Sequence, residues 1–320
     1  MKAALIFTTL LVLFLGQGRL SASPLADLDH RDKLFDLCGR GSRIWVVGHP
    51  GLVLRSDDGG YSFSLLTPGV TEPLLAVNFV DERRGLIVGR PGLVLRTEDG
   101  GDHWERIESG ATQPLFGVAA LPDGRALAVG HFATLLQSLD HGKTWQRRAL
   151  QLPEEALDEP GLHDVTFVTP ELAFVVGELG TLQRSRDGGT TWSAVQLPLQ
   201  RSLYAVAFSD PLHGAAVGAE GTVLLTEDGG EHWLPRSTGT TEHLFALHLG
   251  GEGTLVAVGG NGTLVTLPSG GSPLVERLPL HTWLSTVLVL PSGHQFLAGD
   301  RGNLLRRILP AQSFDRLSGR

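Results

Sequence analysis

The 320-residue sequence predicts an all-β chain folded as a seven-bladed β-propeller of four-stranded antiparallel blades. First, a Val-Gly or Ala-Gly pair recurs with spacings of 41, 41, 47, 41, 41 and 40 residues. Its glycines are Gly48, Gly89, Gly130, Gly177, Gly218, Gly259 and Gly299. Second, 42 glycines and 18 prolines indicate many turns, and no ten-residue stretch after the N-terminal leader has helical periodicity. Third, each unit has four short apolar segments, and four strands in about forty residues are typical of a propeller blade.

Each unit is predicted to supply strands A to D in chain order. In the fifth unit these are "LYAVAF", "HGAAVG", "TVLLTED" and "HWLPRS", separated by Gly, Pro, Asp and Ser turn residues. Matching A segments include "LLAVNF" at 74, "LFGVAA" at 115 and "LFALHL" at 244. The seven units fill the chain after its leader, so residues 24–320 are predicted to form one propeller.

Residues 1–23 resemble a secretory signal peptide. They begin with Lys2, continue through the apolar run "AALIFTTLLVLFLG" and end in the small residues "SAS". The run is short for a membrane span, although a retained anchor stays an alternative. We therefore expect the protein to be exported, to the periplasm or an equivalent extracytoplasmic compartment.

An acidic turn joins strands C and D in the first five units, with the pattern S/T-x-D-x-G-x-T/H-W known as the Asp box. Its aspartates are Asp58, Asp99, Asp140, Asp187 and Asp228, and its tryptophans are Trp104, Trp145, Trp192 and Trp233, with Phe63 in the first unit. The Asp side chain is suited to accept backbone N–H groups of its own hairpin, and the glycine permits a positive φ. We expect a structural role, because one Asp in each turn is far from the six to eight oxygen ligands of calcium.

Two further predictions concern how the blades join. Arg55, Arg96, Arg184 and Arg306 recur in the middle of strand C, which favours pairing between blades over a ligand clamp. The outer strand of the seventh blade has two candidate sources, 26–33 or "SFDRLSG" at 313. We favour the N-terminal segment.

Charge and cysteine content exclude several classes of function. The net charge is −8, and loss of residues 1–23 would remove Lys2 and Arg19, leaving 24 basic against 34 acidic residues and a charge of −10. A nucleic-acid partner is therefore not expected. Cys38 is the single cysteine, which excludes an internal disulfide and a Cys-rich metal site. We expect a monomer with no metal and no small-molecule cofactor.

The tandem units, read as "VG…G…L…S/T-x-D-G-G-x-x-W" behind a leader, resemble the photosystem II stability and assembly factor family of propellers. The resemblance covers roughly residues 32–310 and depends on the repeats, because no single catalytic motif is involved. It implies an exported, non-enzymatic scaffold that binds a protein partner belonging to a membrane-protein complex. Related sequences also occur in bacteria without photosystem II. The last two units lack the Asp box, and no residue carries over as a specific photosystem contact.

The alternative is a sialidase-like glycoside hydrolase, because Asp boxes also occur in those propellers. That chemistry needs a Tyr nucleophile with a Glu, an Asp acid/base and an arginine cluster. Tyr204 near the predicted channel mouth, with Glu178, Arg90, Arg201 and Arg301, could lie on one face. The arginine-containing motif usual near the first blade of that family is missing, which favours the scaffold.

A partner is expected on the face opposite the Asp boxes, which carries the B–C turns and the D–A crossovers. The residue after each anchor glycine varies there, whereas the scaffold positions agree. The candidate partner-binding residues are His49, Arg90, His131, Glu178, Tyr204 and Asp300. The one long spacing adds the proline-flanked acidic loop Glu154, Glu155, Asp158 and Glu159, which would suit a basic juxtamembrane segment. Ordinary solvated turns and a tolerated insertion remain equally open readings of these features.

Overall fold

A computed structural model describes residues 25, 28–152, 159–309 and 311–318. These residues form seven antiparallel sheets of four strands each, in the order in which the strands follow along the chain. The prediction of an all-β, seven-bladed propeller is confirmed. The predicted signal peptide of residues 1–23 lies outside the described residues.

The first four blades contain strands β1 to β16. Blade 1 consists of β1 Lys33–Arg40, β2 Arg43–His49, β3 Leu52–Ser56 and β4 Ser64–Leu66. Blade 2 consists of β5 Leu74–Phe79, β6 Gly85–Gly89, β7 Val94–Thr97 and β8 Glu105–Ile107. Blade 3 consists of β9 Leu115–Ala120, β10 Ala126–Gly130, β11 Thr134–Ser138 and β12 Gln146–Arg147. Blade 4 consists of β13 Leu162–Phe167, β14 Ala173–Gly177, β15 Leu182–Ser185 and β16 Ser193–Ala194.

The last three blades contain strands β17 to β28. Blade 5 consists of β17 Leu203–Phe208, β18 Gly214–Gly218, β19 Val223–Thr226 and β20 Leu234–Pro235. Blade 6 consists of β21 Leu244–Leu249, β22 Leu255–Gly259, β23 Thr263–Leu267 and β24 Leu274–Arg277. Blade 7 consists of β25 Leu284–Val289, β26 Gln295–Gly299, β27 Leu304–Arg307 and β28 Asp315–Ser318. Single 3₁₀ turns follow three of the B strands, at Glu178–Gly180, Ala219–Gly221 and Gly260–Gly262.

The core lies between neighbouring blades. The B strands are apolar on both faces because each is sandwiched between two blades, and β6, β10, β14, β18 and β22 are buried at every position. Trp45 of blade 1 stacks on Phe79 of blade 2 with ring centroids 3.6 Å apart. Each such interface removes a row of apolar side chains from water, which is the main stabilising term of the fold.

The five turns with the Asp-box sequence share two hydrogen bonds, in which the Asp accepts from the hydroxyl two residues before it and from the backbone N–H four residues after it. In the first, Asp58 Oδ1 accepts from Ser56 Oγ at 2.8 Å and from the backbone N–H groups of Tyr61 and Ser62 at 2.9 Å each. Desolvation alone would raise the pKa of Asp58, but the hydrogen bonds from Ser62 and Ser56 outweigh it and lower the pKa to about 2. The aromatic ring that ends the turn is buried or half-buried in all five.

In five blades, a side chain in the middle of strand C donates a hydrogen bond to the acidic turn of the next blade. The position is seven residues after the anchor glycine. The donor–acceptor pairs are Arg55 Nη1 to Gly100 O at 3.1 Å, Arg96 Nε to His141 O at 2.9 Å, Gln137 Nε2 to Gly188 O at 2.8 Å, Arg184 Nη1 to Gly230 O at 3.3 Å and Arg306 Nη1 to Gly60 O at 2.9 Å. The predicted pairing between blades is confirmed, and Gln137 performs the same role in blade 3.

The prediction that the N-terminal segment closes blade 7 was wrong. The outer strand is β28, whose Asp315 and Arg316 pair with Arg306 and Leu305 of β27. The N-terminal segment instead crosses from blade 7 to blade 1, and the Asp32 carbonyl accepts the Gly302 N–H at 2.8 Å. The sheets therefore share no strand across the closing point.

Side chains seal this last interface. Leu25 and Leu28 are buried there with Leu34 and Leu304. The Ser285 hydroxyl donates to the Leu34 carbonyl at 2.7 Å. Burial of the N-terminal leucines between blades 7 and 1 removes more apolar surface from water than pairing at an exposed sheet edge would. This explains why the N-terminal segment does not form the outer strand of blade 7.

Candidate functional site

The face opposite the acidic turns, here called the box-free face, is built from B–C turns and D–A crossovers. In most blades a turn amide donates to the crossover that leads to the next blade, for example Gly92 N to Gln113 O at 2.9 Å and Gly221 N to Glu242 O at 2.8 Å. These bonds hold turns and crossovers together as one surface. His49, Arg90, His131, Glu178 and Asp300 all lie in this surface; His49 ends its B strand, and the other four directly follow theirs.

The tips of the B–C turns have an uncommon backbone conformation. The residue two after the anchor glycine has a left-handed conformation in blades 3 to 7, including Phe132 at φ 52° and Leu179 at φ 55°. Bulky side chains seldom adopt this region, and such strain is concentrated at functional sites. Phe132 is 47% exposed and Leu179 is 67% exposed, so two neighbouring blades present large apolar groups to solvent on this face.

Several of the predicted face residues also support the scaffold. Glu178 Oε2 accepts the Gly161 N–H at 2.8 Å, and Asp300 Oδ2 accepts the Thr282 hydroxyl at 2.9 Å. Glu159 lies 3.9 Å from the Arg147 guanidinium. Arg90 is exposed. Glu154, Glu155 and Asp158 lie outside the described residues, so the acidic loop remains a prediction.

The seven A strands enclose a central channel with a cavity of about 250 Å³ at its box-free end. The residue that follows the first leucine of each A strand lines this cavity. These residues are Phe35, Leu75, Phe116, His163, Tyr204, Phe245 and Ser285. The prediction placed Tyr204 near the channel mouth, and the structure places it in this ring.

Four of these rings form a continuous arc, here called the aromatic arc. Its members are Phe116, His163, Tyr204 and Phe245. The ring centroids are 6.0 Å apart from Phe116 to His163, 5.1 Å from His163 to Tyr204 and 5.5 Å from Tyr204 to Phe245. His131 of the predicted face lies edge-on to Phe116 at 6.3 Å and contacts Phe132 at 4.2 Å. The exposed tip of blade 3 is thus connected to the channel by aromatic contacts.

Two carboxyl groups, Asp36 and Asp164, lie below the arc in the same cavity, three blades apart. Asp36 accepts the Val77 N–H of the next blade at 2.9 Å and the Leu37 N–H at 2.8 Å. Asp164 accepts the Val206 N–H of its next blade at 2.9 Å.

Both channel carboxyls are hard to ionise in the folded protein. Desolvation in the channel raises the pKa of Asp36 to about 6, although the backbone bonds from Val77 and Leu37 oppose it. Desolvation likewise raises the pKa of Asp164 to about 7, with the charge of Asp36 adding to the effect. These are the acids of the site that change charge near neutral pH.

Sequence reasoning missed the arc and the two acids, apart from Tyr204. The signal was present in the column that follows the first leucine of each A strand. There, Phe, Leu, Phe, His, Tyr, Phe and Ser precede Asp, Ala, Gly, Asp, Ala, Ala and Thr. The two positions after that leucine vary from blade to blade within an otherwise constant strand, as the B–C turn residues do.

The residues of the hydrolase alternative do not form a substrate grip. Arg90, Arg201 and Arg301 belong to blade 2, the crossover from blade 4 to blade 5, and blade 7. Arg201 is paired with Glu220 at 2.8 Å. Burial and then the charge of Glu178 raise the pKa of Tyr204, which is opposite to the activation of a nucleophile.

Within the part of the chain that the structure describes, no group of three or more His, Cys, Asp or Glu side chains is arranged to hold a metal ion. No helix among those residues is long and apolar enough to cross a membrane. Cys38 is buried and accepts the Phe79 N–H through its sulfur at 3.3 Å.

Comparison of the sequence with known families gives a match to the photosynthesis system II assembly factor YCF48. The match spans residues 63–161 and 189–249, which is half of the chain. The chain belongs to the YCF48 family. This membership confirms the resemblance drawn from the repeats, and the two matched stretches run from the first acidic turn to the A strand of blade 6. No curated protein matches the sequence.

Solved structures of YCF48 proteins share the fold. One, described as YCF48 bound to D1 peptide, has 20% sequence identity and a TM-score of 0.70, covering 88% of this chain and 95% of its own. YCF48 from Cyanidioschyzon merolae has 18% identity and a TM-score of 0.70, covering 87% and 96%. An ancestral GH74 enzyme is also similar, with 11% identity and a TM-score of 0.73, covering 92% of this chain and 47% of its own. At these identities the likeness shows a common propeller fold.

Proposed function

We propose that this YCF48-family propeller is a non-enzymatic assembly factor that holds a segment of a membrane-protein partner on its box-free face. The observation that carries the proposal is the aromatic arc at the channel mouth, which His131 connects to the exposed Phe132, with the exposed Leu179 on the same face. Exposed apolar patches of this kind mark protein-binding sites. The solved YCF48 bound to a D1 peptide supports a protein ligand.

The setting proposed for this activity is outside the cytoplasm. The leader-like pattern of residues 1–23 supports export, and the negative net charge argues against nucleic acid. We further propose a monomer without a small-molecule cofactor. The rival hydrolase has the weaker support, because its arginines are dispersed and Tyr204 is not activated.

The experiment is capture of partners from detergent-solubilised host membranes by the tagged full-length protein, followed by mass spectrometry. The test variant is Phe132→Asn with Leu179→Asn, since asparagine tolerates the left-handed backbone of both positions. The matched control is Leu139→Asn with Leu212→Asn. These leucines are 62% and 54% exposed and lie in a C–D and an A–B turn on the other face.

We expect the box-free pair to lose capture of an integral membrane protein at least several-fold, while the control pair retains it. The thermal stability of both variants should match the parent, because all four side chains are exposed. Loss of capture in the control pair alone would show that the binding face is the one with the acidic turns. Cleavage of sialosides or aryl glycosides that Tyr204→Phe abolishes would replace the scaffold with the hydrolase.

A further inference from the structure

The cavity at the channel mouth has the size of a site for one side chain. Its volume of about 250 Å³ is below the 300–1,000 Å³ of pockets that hold drug-sized ligands. It opens on the box-free face and combines aromatic walls with acidic groups at its base. The chemistry of those groups indicates what kind of side chain it would take.

The walls favour a cation. Phe116, Tyr204 and Phe245 of the aromatic arc line the cavity, and Phe35 adds a separate ring between Leu75 and Ser285. A cation near an aromatic face is attracted by the negative potential of the ring, and the attraction strengthens when water is excluded. An aliphatic side chain would gain from the same apolar walls but not from this term.

The base of the cavity also favours a cation. Among the described residues, no Lys, Arg or His forms an ion pair with Asp36 or Asp164, whose hydrogen bonds come from backbone N–H groups and, for Asp36, the Thr286 hydroxyl. The hydrogen bonds of Asp164 to Val165 and Val206 use one acceptor position on each oxygen. A carboxylate offers about four acceptor positions, so acceptor capacity remains free beside the cavity.

A third group has an unpartnered nitrogen. His163 lines the cavity, and its Nε2 is buried without a hydrogen-bond partner in the described part of the chain. Burial lowers the pKa of His163, which favours the neutral imidazole. In the tautomer with its proton on Nδ1, Nε2 can accept an N–H from an ammonium group.

We infer that the channel mouth binds an alkylammonium group, the end of a lysine side chain in the partner segment, between the aromatic arc and the Asp36–Asp164 base. The inference rests on the proposed function and specifies the residue that the bound segment must carry. The occupant enters along the channel axis from the box-free face. Cation–π contact and ion pairing would then hold it where the exposed apolar tips hold the rest of the segment.

The two tyrosines of the chain provide a direct test. Tyr204 is in the arc, and Tyr61 lies in the acidic turn of blade 1, on the opposite face. Full-length protein labelled with 3-fluorotyrosine gives one ¹⁹F signal for each. N-acetyl-lysine amide is titrated against N-acetyl-norleucine amide, which has the same alkyl chain without the ammonium, and against tetramethylammonium.

We expect the Tyr204 signal to shift in a saturable way with the lysine compound and tetramethylammonium, while Tyr61 serves as an unchanged reference. The affinity for the lysine compound should exceed that for norleucine by about tenfold or more, from the usual strength of desolvated cation–π contacts. Equal binding of norleucine would show a merely apolar pocket and overturn the inference. No shift of Tyr204 with any compound would also overturn it.

Variants separate binding from a purely structural role of the acids. Asp164→Asn keeps the shape and one acceptor oxygen, so the protein should stay folded but bind the lysine compound at least ~tenfold more weakly. Leu75→Phe adds a ring to the arc and should strengthen binding. If Asp164→Asn lowers the stability but leaves the affinity for the lysine compound unchanged, the carboxyl only connects two blades and does not bind the ammonium group. If these titrations fail while Phe132→Asn with Leu179→Asn still loses the partner, the proposed function stands without the ammonium site.

Discussion

At the scale of single residues, a blade has the hydrogen-bond donor Arg or Gln in the middle of strand C only where the next blade has an acidic turn. Blades 6 and 7 lack that turn, and the blades before them carry Leu225 and Thr266 at the donor position. The other five blades carry Arg or Gln, and all five donate to a carbonyl of the following turn. A buried guanidinium without an acceptor would be costly, so donor and turn are retained or lost together.

Arg184→Leu tests this coupling. Its side chain is 15% exposed and bonds both the Gly230 carbonyl and the Glu231 carboxylate, the latter at 2.9 Å. We expect the free energy of unfolding, measured by urea denaturation, to fall by about 1–3 kcal/mol, because hydrogen bonds to charged groups contribute about this much. The control Arg186→Leu removes an arginine that pairs with the same Glu231 but is 62% exposed. It should change stability by less than about 0.5 kcal/mol, and equal effects would contradict a specific role for the bond to Gly230.

At the scale of elements, the repeat predicted the blades because every blade packs between two neighbours and uses similar apolar residues at the same positions. The acidic turn between strands C and D could be predicted because its Asp, Gly and aromatic residues all belong to one hairpin and form a local sequence motif. The outer strand of blade 7 could not be predicted from the sequence, because 26–33 and 313–319 are both short polar segments with a few apolar residues. Only the packing of Leu25 and Leu28 against the seam between blades 7 and 1 distinguishes them.

The candidate site was predicted in part for a related reason. The B–C turns stood out because their residues vary beside constant glycines, and they do lie on one face with Tyr204. The arc and the acids were missed because Phe116 or Phe245 in a strand looks like ordinary core. Their exposure to the channel follows from the closure of seven blades into a ring, which no single repeat contains.

Loss of β28 tests the closure of blade 7. Phe314 packs against blade 7 and the Arg307 guanidinium, 4.4 Å from the ring centroid, and Leu317 packs against the seam. We expect removal of residues 313–320 to lower the melting temperature by roughly 5 °C or more, from the apolar area uncovered and the usual relation between stability and melting temperature. Leu309→Ser, at a neighbouring side chain that is 51% exposed, should have little effect. Unchanged melting after the truncation would show that β28 does not support the blade.

At the scale of the whole molecule, the acidic residues divide into two groups with opposite electrostatics. On one face, desolvation is outweighed by hydrogen bonds that hold the pKa of the carboxyls in the acidic turns below the usual range, to about 2 for Asp99, Asp140 and Asp187. Those groups are half-buried or exposed, and their contribution is lost only in strong acid. In the channel, Asp36 and Asp164 have raised pKa values instead, so of these two groups of acids only the channel pair changes charge near neutral pH.

The channel acids should make the fold less stable as the pH rises from about 4 to about 7. In the unfolded chain a carboxyl ionises near pH 4, whereas in the folded chain Asp36 and Asp164 keep their protons up to about 6 and 7. Over this pH range the folded state therefore binds more protons than the unfolded state. The stability gained from these protons is lost as the two carboxyls ionise. The other titratable groups facing the cavity are His163 and Tyr204, with Glu178, His131 and His243 at its rim.

The measurement is the free energy of unfolding from pH 4.5 to pH 8 for the parent and for Asp36→Asn with Asp164→Asn. The histidines occur in both proteins and cancel in the difference. Relative to the variant, the parent should lose about 1–3 kcal/mol across the range, since one pKa unit is worth about 1.4 kcal/mol and water in the channel reduces the full shift. The control Asp210→Asn removes an exposed acid whose pKa is lowered by the backbone N–H groups of Leu212 and His213, so its curve should parallel that of the parent. Parallel curves for the channel variant as well would mean that Asp36 and Asp164 ionise as freely in the folded ring as in the unfolded chain, and that the channel mouth is wetter than its lining indicates.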